Sequence, residues 1–553
     1  MAAPSLRSSR WIVALASLAA LVILGPMSFS SLPPIHNHVT ATSASNPASV
    51  DLPTTGNDGE TNLGRTETVT VDGIGRTEES ASYGSTESES ANVESGPRGD
   101  QMIGSNRVSV FVPKCAESAG NAPLIHRRAE TLSLASFNAV PDGTTDNTAA
   151  FRAAIGAVQS LVAAQSVEGR GDADVALGAT LVVPRGTWLT GPFNLTSHMT
   201  LFLEQGAILL ASPHMPDYPL VPQPPTYGPG RELEPGPRHH SLILAYNVTD
   251  VLITGENGTI DGNGRPWWEA MERKSLHHMR PHVLEIQSSC HVAVSHLTLV
   301  NAPFWFIRPL YSSRLSFRHL TITAPSTVRQ TDGIDPDSST HVLIEDCHIS
   351  TGDDAVAIKS GWDQYGYNAH PAAPSADITV RRVTVQVPPG SGGVGLSIGS
   401  EMSGGVQRVR FDDCRVLGAD VGIRIKSAAG RGGFVKNVSF IRTYVQDVKV
   451  AFTITSFFGH GDPPGFDPHA LPIIQDITVD GLTGDNIDRV VKVEGLAEQP
   501  IKGVTISNVD VKLSEKARPR KAWRCSGVEG GQVSNVSGSF PNRKQCTGMS
   551  WGT

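Results

Sequence analysis

HVAVSHLTLVNA (residues 291–302), RLSFRHLTITAP (314–325) and HVLIEDCHISTG (341–352) carry one pattern three times: apolar residues alternate with polar ones, and a turn follows. Alternation with period two marks a strand with one buried face. The pattern begins in DVLITG (250–255) and continues in DITVRRVTVQ (377–386), RVRFDDCRVLG (408–418), NVSFIRTYVQD (437–447), DITVDGLTGD (476–485) and GVTISNVDVK (503–512). Aligning Val292, Leu315, Val342, Ile378, Val409, Val438, Ile477 and Val504 gives periods of about 23 to 39 residues, the range of stacked repeats. Helical signals between these strands are absent, which argues against alternating strand–helix and leucine-rich designs. The expected fold is all-β: a right-handed, single-stranded parallel β-helix, each turn burying its Val/Ile face inside the coil.

Ahead of the repeats, Asp142-Gly143 marks a turn, and Asp146 or Thr145 can cap a helix whose apolar positions Phe151, Ile155, Val158 and Val162 recur at helical spacing. Strands follow it at 180–183, 188–190 and 200–203. One amphipathic helix followed by strands reads as an N-terminal cap over an open sheet end. The folded domain is expected to span 107–553.

Upstream, Arg7 and Arg10 precede an uncharged apolar run at 11–29, the order of a secretory leader. The run fits both a cleaved signal peptide (1–30), with Ser28 and Ser30 near the cleavage point, and a type II membrane anchor. Residues 31–106 are rich in Ser, Thr, Glu and Gly with almost no aromatics, and read as a disordered linker. Sequons at Asn194, Asn247, Asn257, Asn437 and Asn535 match the secretory route, to a secreted or cell-wall protein or a membrane-tethered one. Six cysteines are sparse for 553 residues, so disulfides are accessory. Cys525 and Cys546 bracket a Gly/Ser-rich segment and form the expected bridge. Cys347 and Cys414 share one register and read as small buried residues in an internal ladder.

A formal net charge of −8 argues against nucleic acid as the partner. The chemistry concentrates in QTDGIDPDSS (330–339), STGDDAVAIKSG (350–361) and GIRIKS (422–427). A parallel coil stacks such strings into one outer column. Adjacent acids after a glycine also occur as a plain solvated turn. Asp332 in the coil before Asp353 and Asp354 argues for a site instead, because three close carboxylates repel and are costly unless used. Glycoside hydrolysis needs such a set: an acid for the leaving oxygen and a base or nucleophile. Arg424 and Lys426 share one strand face and supply counter-charge, either as an ion-pair network or as a clamp for a sugar carboxylate.

The chain resembles glycoside hydrolase family 28, the polygalacturonases, and in particular its plant-type and bacterial exo-acting branch, over roughly residues 132–511. FNAVPDGTTDNTAAF (137–151), YGPGREL (227–233), NVTDVLITGENGTIDGNGRPWW (247–268), RPHVLEI (280–286), NAPFWFI (301–307), GWDQYG (361–366), IGSEMSGGV (398–406) and the three site strings carry the resemblance. It implies hydrolysis of α-1,4-galacturonosyl linkages in polygalacturonate, with inversion, no metal and no cofactor. Asp353 would be the general acid, Asp332 and Asp354 the water-activating carboxylates, and Arg424 and Lys426 substrate-binding residues. Lys359, His282 and Gln330 are further candidates for the cleft. Gln330 stands where the family usually has Asn, and SGGVGLSIGS (391–400) lacks the histidine many members carry there. Trp267 and Trp268, read as strand residues, point opposite ways, so one at most meets sugar and the other packs in the core.

A pectic polysaccharide is thus the expected partner of a monomeric enzyme. Three other readings remain: a rhamnogalacturonan or xylogalacturonan hydrolase of the same fold; a catalytically weakened wall-binding protein, motivated by Gln330 and the missing histidine; and, least favoured, a β-helix lyase, whose elimination needs a strong base and commonly Ca²⁺ where Asp332, Asp353 and Asp354 match the hydrolase strings.

Overall fold

The computed structural model describes residues 108–116, 122–167, 176–230, 233–459, 465–538 and 545–552. The expected leader and linker lie outside the described residues. Strands dominate, and among the described residues every paired ladder is parallel except the two-residue pairing of Leu220–Val221 with Arg238–His239. Successive parallel strands of one coil need right-handed crossovers. The result is the right-handed parallel β-helix read from the repeats.

The aligned apolar column is realised rung by rung. Val292 pairs with Leu315, Leu315 with Val342, Val342 with Ile378, Ile378 with Val409, Val409 with Val438, Val438 with Ile477 and Ile477 with Val504. All eight side chains are buried. The residue before each column position, in order His291, Arg314, His341, Asp377, Arg408, Asn437, Asp476 and Gly503, has a φ between 52° and 61°. A left-handed residue inside a strand breaks the pleat and turns the chain, so each coil takes the same corner in the same place. For a non-glycine residue that conformation costs roughly 1–2 kcal/mol, offset here by stacking the next apolar side chain under its predecessor. Phe411 and Phe440 stack two such rungs at 4.6 Å.

Helix α1 (Thr148–Val167) closes the N-terminal end, as expected. The Asp146 carboxylate accepts from Thr148 N at 2.9 Å and so caps it. Its buried Phe151, Ile155 and Val158 turn inward, with Phe151 stacked on Phe193 at 4.6 Å. A second helix, α2 (Arg265–Glu272), carries Trp267 and Trp268, which the sequence reading had assigned to a strand. Pro266 in its first turn suits a helix start. The division of labour survives the correction: Trp267 is buried against Tyr218 and His239, and Trp268 lines the main cavity.

Cys525–Cys546 is bridged as expected, and a second disulfide joins Cys115 to Cys290. Cys347 and Cys414 are free and buried, their thiols pushed up to about 12 by burial. That protonation suits inert packing residues.

Candidate active site

One outer face of the coil is built from strands β1 (Leu284–Gln287), β2 (Ile307–Leu310), β3 (Asp354–Ile358), β4 (Val394–Ile398), β5 (Val421–Lys426), β6 (Val450–Thr455), β7 (Arg489–Glu494) and β8 (Trp523–Ser526). Between β2 and β3 the string QTDGIDPDSS supplies the missing rung: Ile334 bridges Ile307 and Val356, and Asp337 bridges Leu310 and Lys359. Asp332 therefore sits one rung from Asp354, with Gly333 N donating to Asp354 O at 3.0 Å. The rungs approach so closely that a Cβ on Gly333 would meet Ala355 O at 2.4 Å, and one on Gly352 would meet Val328 O at 1.9 Å. Only glycine fits on either side of the acids.

The face opens as a cavity of about 680 Å³ whose lining includes Asp332, Asp353, Asp354, Lys359, Arg424, Lys426 and Gln330. The sequence reading is thus brought together in one place, with one exception. His282, expected at the cleft, is buried beneath it, 5.3 Å from the rings of Phe304 and Trp305, and burial holds its imidazole neutral. Trp305 takes the cavity-facing position instead.

Ile423 and Ile425 are fully buried, which leaves Arg424 and Lys426 on the outer face of β5. Both converge on Asp354: Arg424 Nη2 lies 2.6 Å from Oδ1 and Lys426 Nζ 2.7 Å from Oδ2, while Ser397 Oγ donates to Oδ1 at 2.7 Å. Burial alone would raise the Asp354 carboxyl, but the two cations outweigh it and hold the group below its ordinary range. The ion-pair reading of Arg424 and Lys426 is realised, and both still line the cavity.

Asp332 shows the opposite balance. Burial, then Asp335, then Asp353 push its carboxyl well up, and burial lifts Asp335 to about 7. Their shared cation is Lys359, whose Nζ stands 3.4 Å from Asp332, 3.8 Å from Asp335 and 3.1 Å from Glu401. One ammonium among three buried carboxyls leaves excess negative charge unless a proton stays, so Asp332 and Asp335 titrate as a pair. Lys359 also lies 4.4 Å over the Trp305 ring.

Asp353 is half-buried. Its Oδ1 accepts from Asp354 N at 3.0 Å and its Oδ2 from Gln330 N at 3.2 Å. The Gln330 side-chain carbonyl accepts from Arg280, itself buried and bonded to Pro303 O at 2.9 Å. Gln330 is in the left-handed region, with φ 61°. The extra methylene relative to Asn is taken up toward Arg280, and the backbone contact to Asp353 is kept. Asp335, Glu401 and Arg280 were not singled out from sequence. Asp335 stands three residues from Asp332 in the same quoted string, the one signal that pointed to it.

The sequence profile of the glycosyl hydrolases family 28 matches residues 231–537. A probable polygalacturonase of Vitis vinifera is 42% identical over 403 residues, which are 73% of this chain and 78% of the relative. An endo-polygalacturonase of Pectobacterium parmentieri is 29% identical over 58% of this chain and 77% of its own length. Among solved structures, a hyperthermoactive exopolygalacturonase from Thermotoga maritima superposes with a TM-score of 0.62 at 27% identity, over 76% of this chain and 93% of that one. On this match of profile, sequence and coil, the chain belongs to glycosyl hydrolases family 28 and is a glycoside hydrolase.

Proposed function

We propose that the protein hydrolyses α-1,4-galacturonosyl linkages of polygalacturonate, with inversion. The observation that carries this reading is the pairing of Asp354 with Arg424 and Lys426 inside the cavity that also holds Asp332 and Asp353. It sets an ionised carboxylate beside protonatable ones, the requirement of acid–base glycoside hydrolysis. Asp353, the more exposed member, protonates the leaving glycosidic oxygen. Asp354, kept ionised, takes a proton from the attacking water, and Asp332 assists once its pair with Asp335 has released a proton. The Arg424 guanidinium lines the cavity and carries there the positive charge that a sugar carboxylate would meet. The names of the relatives, polygalacturonases of both exo and endo action, support the substrate class and leave the mode of attack open.

Two disulfides and five exposed sequon asparagines support a route through the secretory pathway. No helix of the described residues is long and apolar enough to cross a membrane.

The test is incubation with polygalacturonate, following reducing ends, ultraviolet absorbance and product size. Reducing ends without an unsaturated, absorbing product are expected, since elimination alone yields the latter. Proton NMR of the first products should give the inverted anomer. An absorbing product, or no release at all, would overturn the proposal.

A further inference from the structure

The main cavity is not uniformly basic. Arg424 and Lys426 stand on β5, two rungs after β3, and Arg329 also lines an adjoining concavity with Asp353 and Asp420. The opposite wall is helix α2, inserted at the corner before β1, three rungs ahead of β3 or roughly 14 Å at the usual strand spacing. It presents Trp268, Met271 and Glu272 to the cavity. Spacings of three and four put these side chains on one helix face.

None of the three offers a donor to a carboxylate. The Trp268 indole N–H is already given to Ala302 O at 3.0 Å, so the ring meets a ligand with carbon. Met271 brings a thioether and Glu272 an acceptor-only carboxylate. Nor is the Glu272 charge cancelled on its own helix. Arg265 and Arg273 both pair with Glu269, at 2.8 and 3.7 Å, while Glu272 is exposed and makes no ion pair among the described residues. Arg280, also in the lining, is buried and turned to Gln330 and Pro303 O.

An ionised galacturonate lying on this wall would give up water from its carboxylate for no partner, and would face Glu272 as a like charge. The methyl ester of the same sugar carries no charge. Its methyl group packs on Trp268 and Met271, and its ring hydroxyls remain donors for Glu272.

We propose that the α2 wall is a subsite for an uncharged, methyl-esterified galacturonate, while ionised residues of the same chain are met at Arg424 and Lys426. The inference rests on the proposed function and names its substrate more closely, as a partly esterified pectic chain.

The experiment measures kcat/KM on two galacturonate oligomers of equal length, one free of esters and one partly methyl-esterified, for the wild type, Glu272→Gln and Glu272→Lys. The ester-over-acid ratio should fall about fourfold in Glu272→Gln, the effect of removing one like charge roughly 5 Å away in a solvated cleft. It should fall further in Glu272→Lys, where attraction replaces repulsion. A ratio within about twofold of the wild type's in both variants would overturn the subsite and leave the hydrolase intact. Absence of wild-type turnover on both oligomers would overturn the proposed function and this subsite with it.

Discussion

Lys426 Nζ stands 2.7 Å from Oδ2 of Asp354, and both side chains are buried at the floor of the cavity. The lysine is there because the alternation of β5 sends Ile425 inward, and the aspartate is ionised because the lysine is there. Lys426→Met keeps the stem and removes the charge. Breaking one side of a buried ion pair costs about 3 kcal/mol or more, and Arg424 and Ser397 keep the variant near the lower end. With one cation gone the Asp354 carboxyl rises, so the acid limb of the kcat/KM profile should move to higher pH. An acid limb that coincides with the wild type's would mean Asp354 is not the base that sets it.

Asp335 yields a prediction about stability. Its carboxyl is raised to about 7, above the unfolded value near ~4. Between those two pH values the folded state binds more protons than the unfolded state, so stability falls as pH rises across that window. Glu285 has the reverse sign: despite burial, Arg238 and its neighbours lower it to about 2, so its contribution is lost as pH falls from near 4 toward 2. Melting temperature should therefore be highest near pH 4 to 5 on these contributions. Asp335→Asn should flatten the decline toward pH 7 and leave the acid side unchanged. A parallel decline in the variant would assign the slope elsewhere.

The activity profile follows from the same groups. A base that must be ionised and an acid that must be protonated give a bell, with its maximum at mildly acid pH, roughly 4 to 6. Activity that climbs steadily to pH 8 would contradict the carboxylate assignment.

Much of this was legible in sequence because the inside of a parallel coil takes mostly apolar side chains, at fixed steps. Val292 to Val504 could be aligned by eye for that reason, and the acids were visible because they break the pattern. Other features depend on what a linear reading cannot weigh. His282 follows Arg280 in a polar string and looks exposed, yet Phe304 and Trp305, some twenty residues on, cover it. Trp267-Trp268 lies among strands, but the proline ahead of it begins a helix turn. Asp335 was passed over because Asp332, Asp335 and Asp337 fall in one string. Only geometry separates their partners: Lys359 for Asp332 and Asp335, and Arg308 at 2.8 Å for Asp337.

Asp353→Asn should lower kcat by ~10²–10⁴-fold, the usual worth of general acid catalysis, with oligogalacturonate binding kept within a few-fold. Among the contacts above the half-buried carboxyl accepts only from the backbone amides of Gln330 and Asp354, so an amide there unpairs no cation and gives up one of the two N–H contacts, its NH2 being unable to accept. Retention of more than about a tenth of the wild-type rate would move the acid role to another group.

The two disulfides should differ in worth. Cys115–Cys290 spans 175 residues and Cys525–Cys546 spans 21. In the chain-entropy account the longer loop restricts the unfolded state more, though only logarithmically, so both fall within about 2–5 kcal/mol with the longer one ahead. Local structure points the same way. The segment tied by Cys115 pairs Val108 with Ala369 and packs Val110 against Leu310 and Tyr311, so it straps together coils on either side of Asp332. Cys525 and Cys546, by contrast, join the last rungs of the coil, where few residues depend on the link. Cys115→Ser/Cys290→Ser should therefore lower the melting temperature by several degrees, and by more than Cys525→Ser/Cys546→Ser. Because the strap touches the outer flank and not the cavity lining, kcat/KM at 25 °C should change by less than about twofold. Thermal melts of the two double variants decide it: a larger loss from the C-terminal pair would show that strain or residual unfolded structure, not loop closure, governs these bridges.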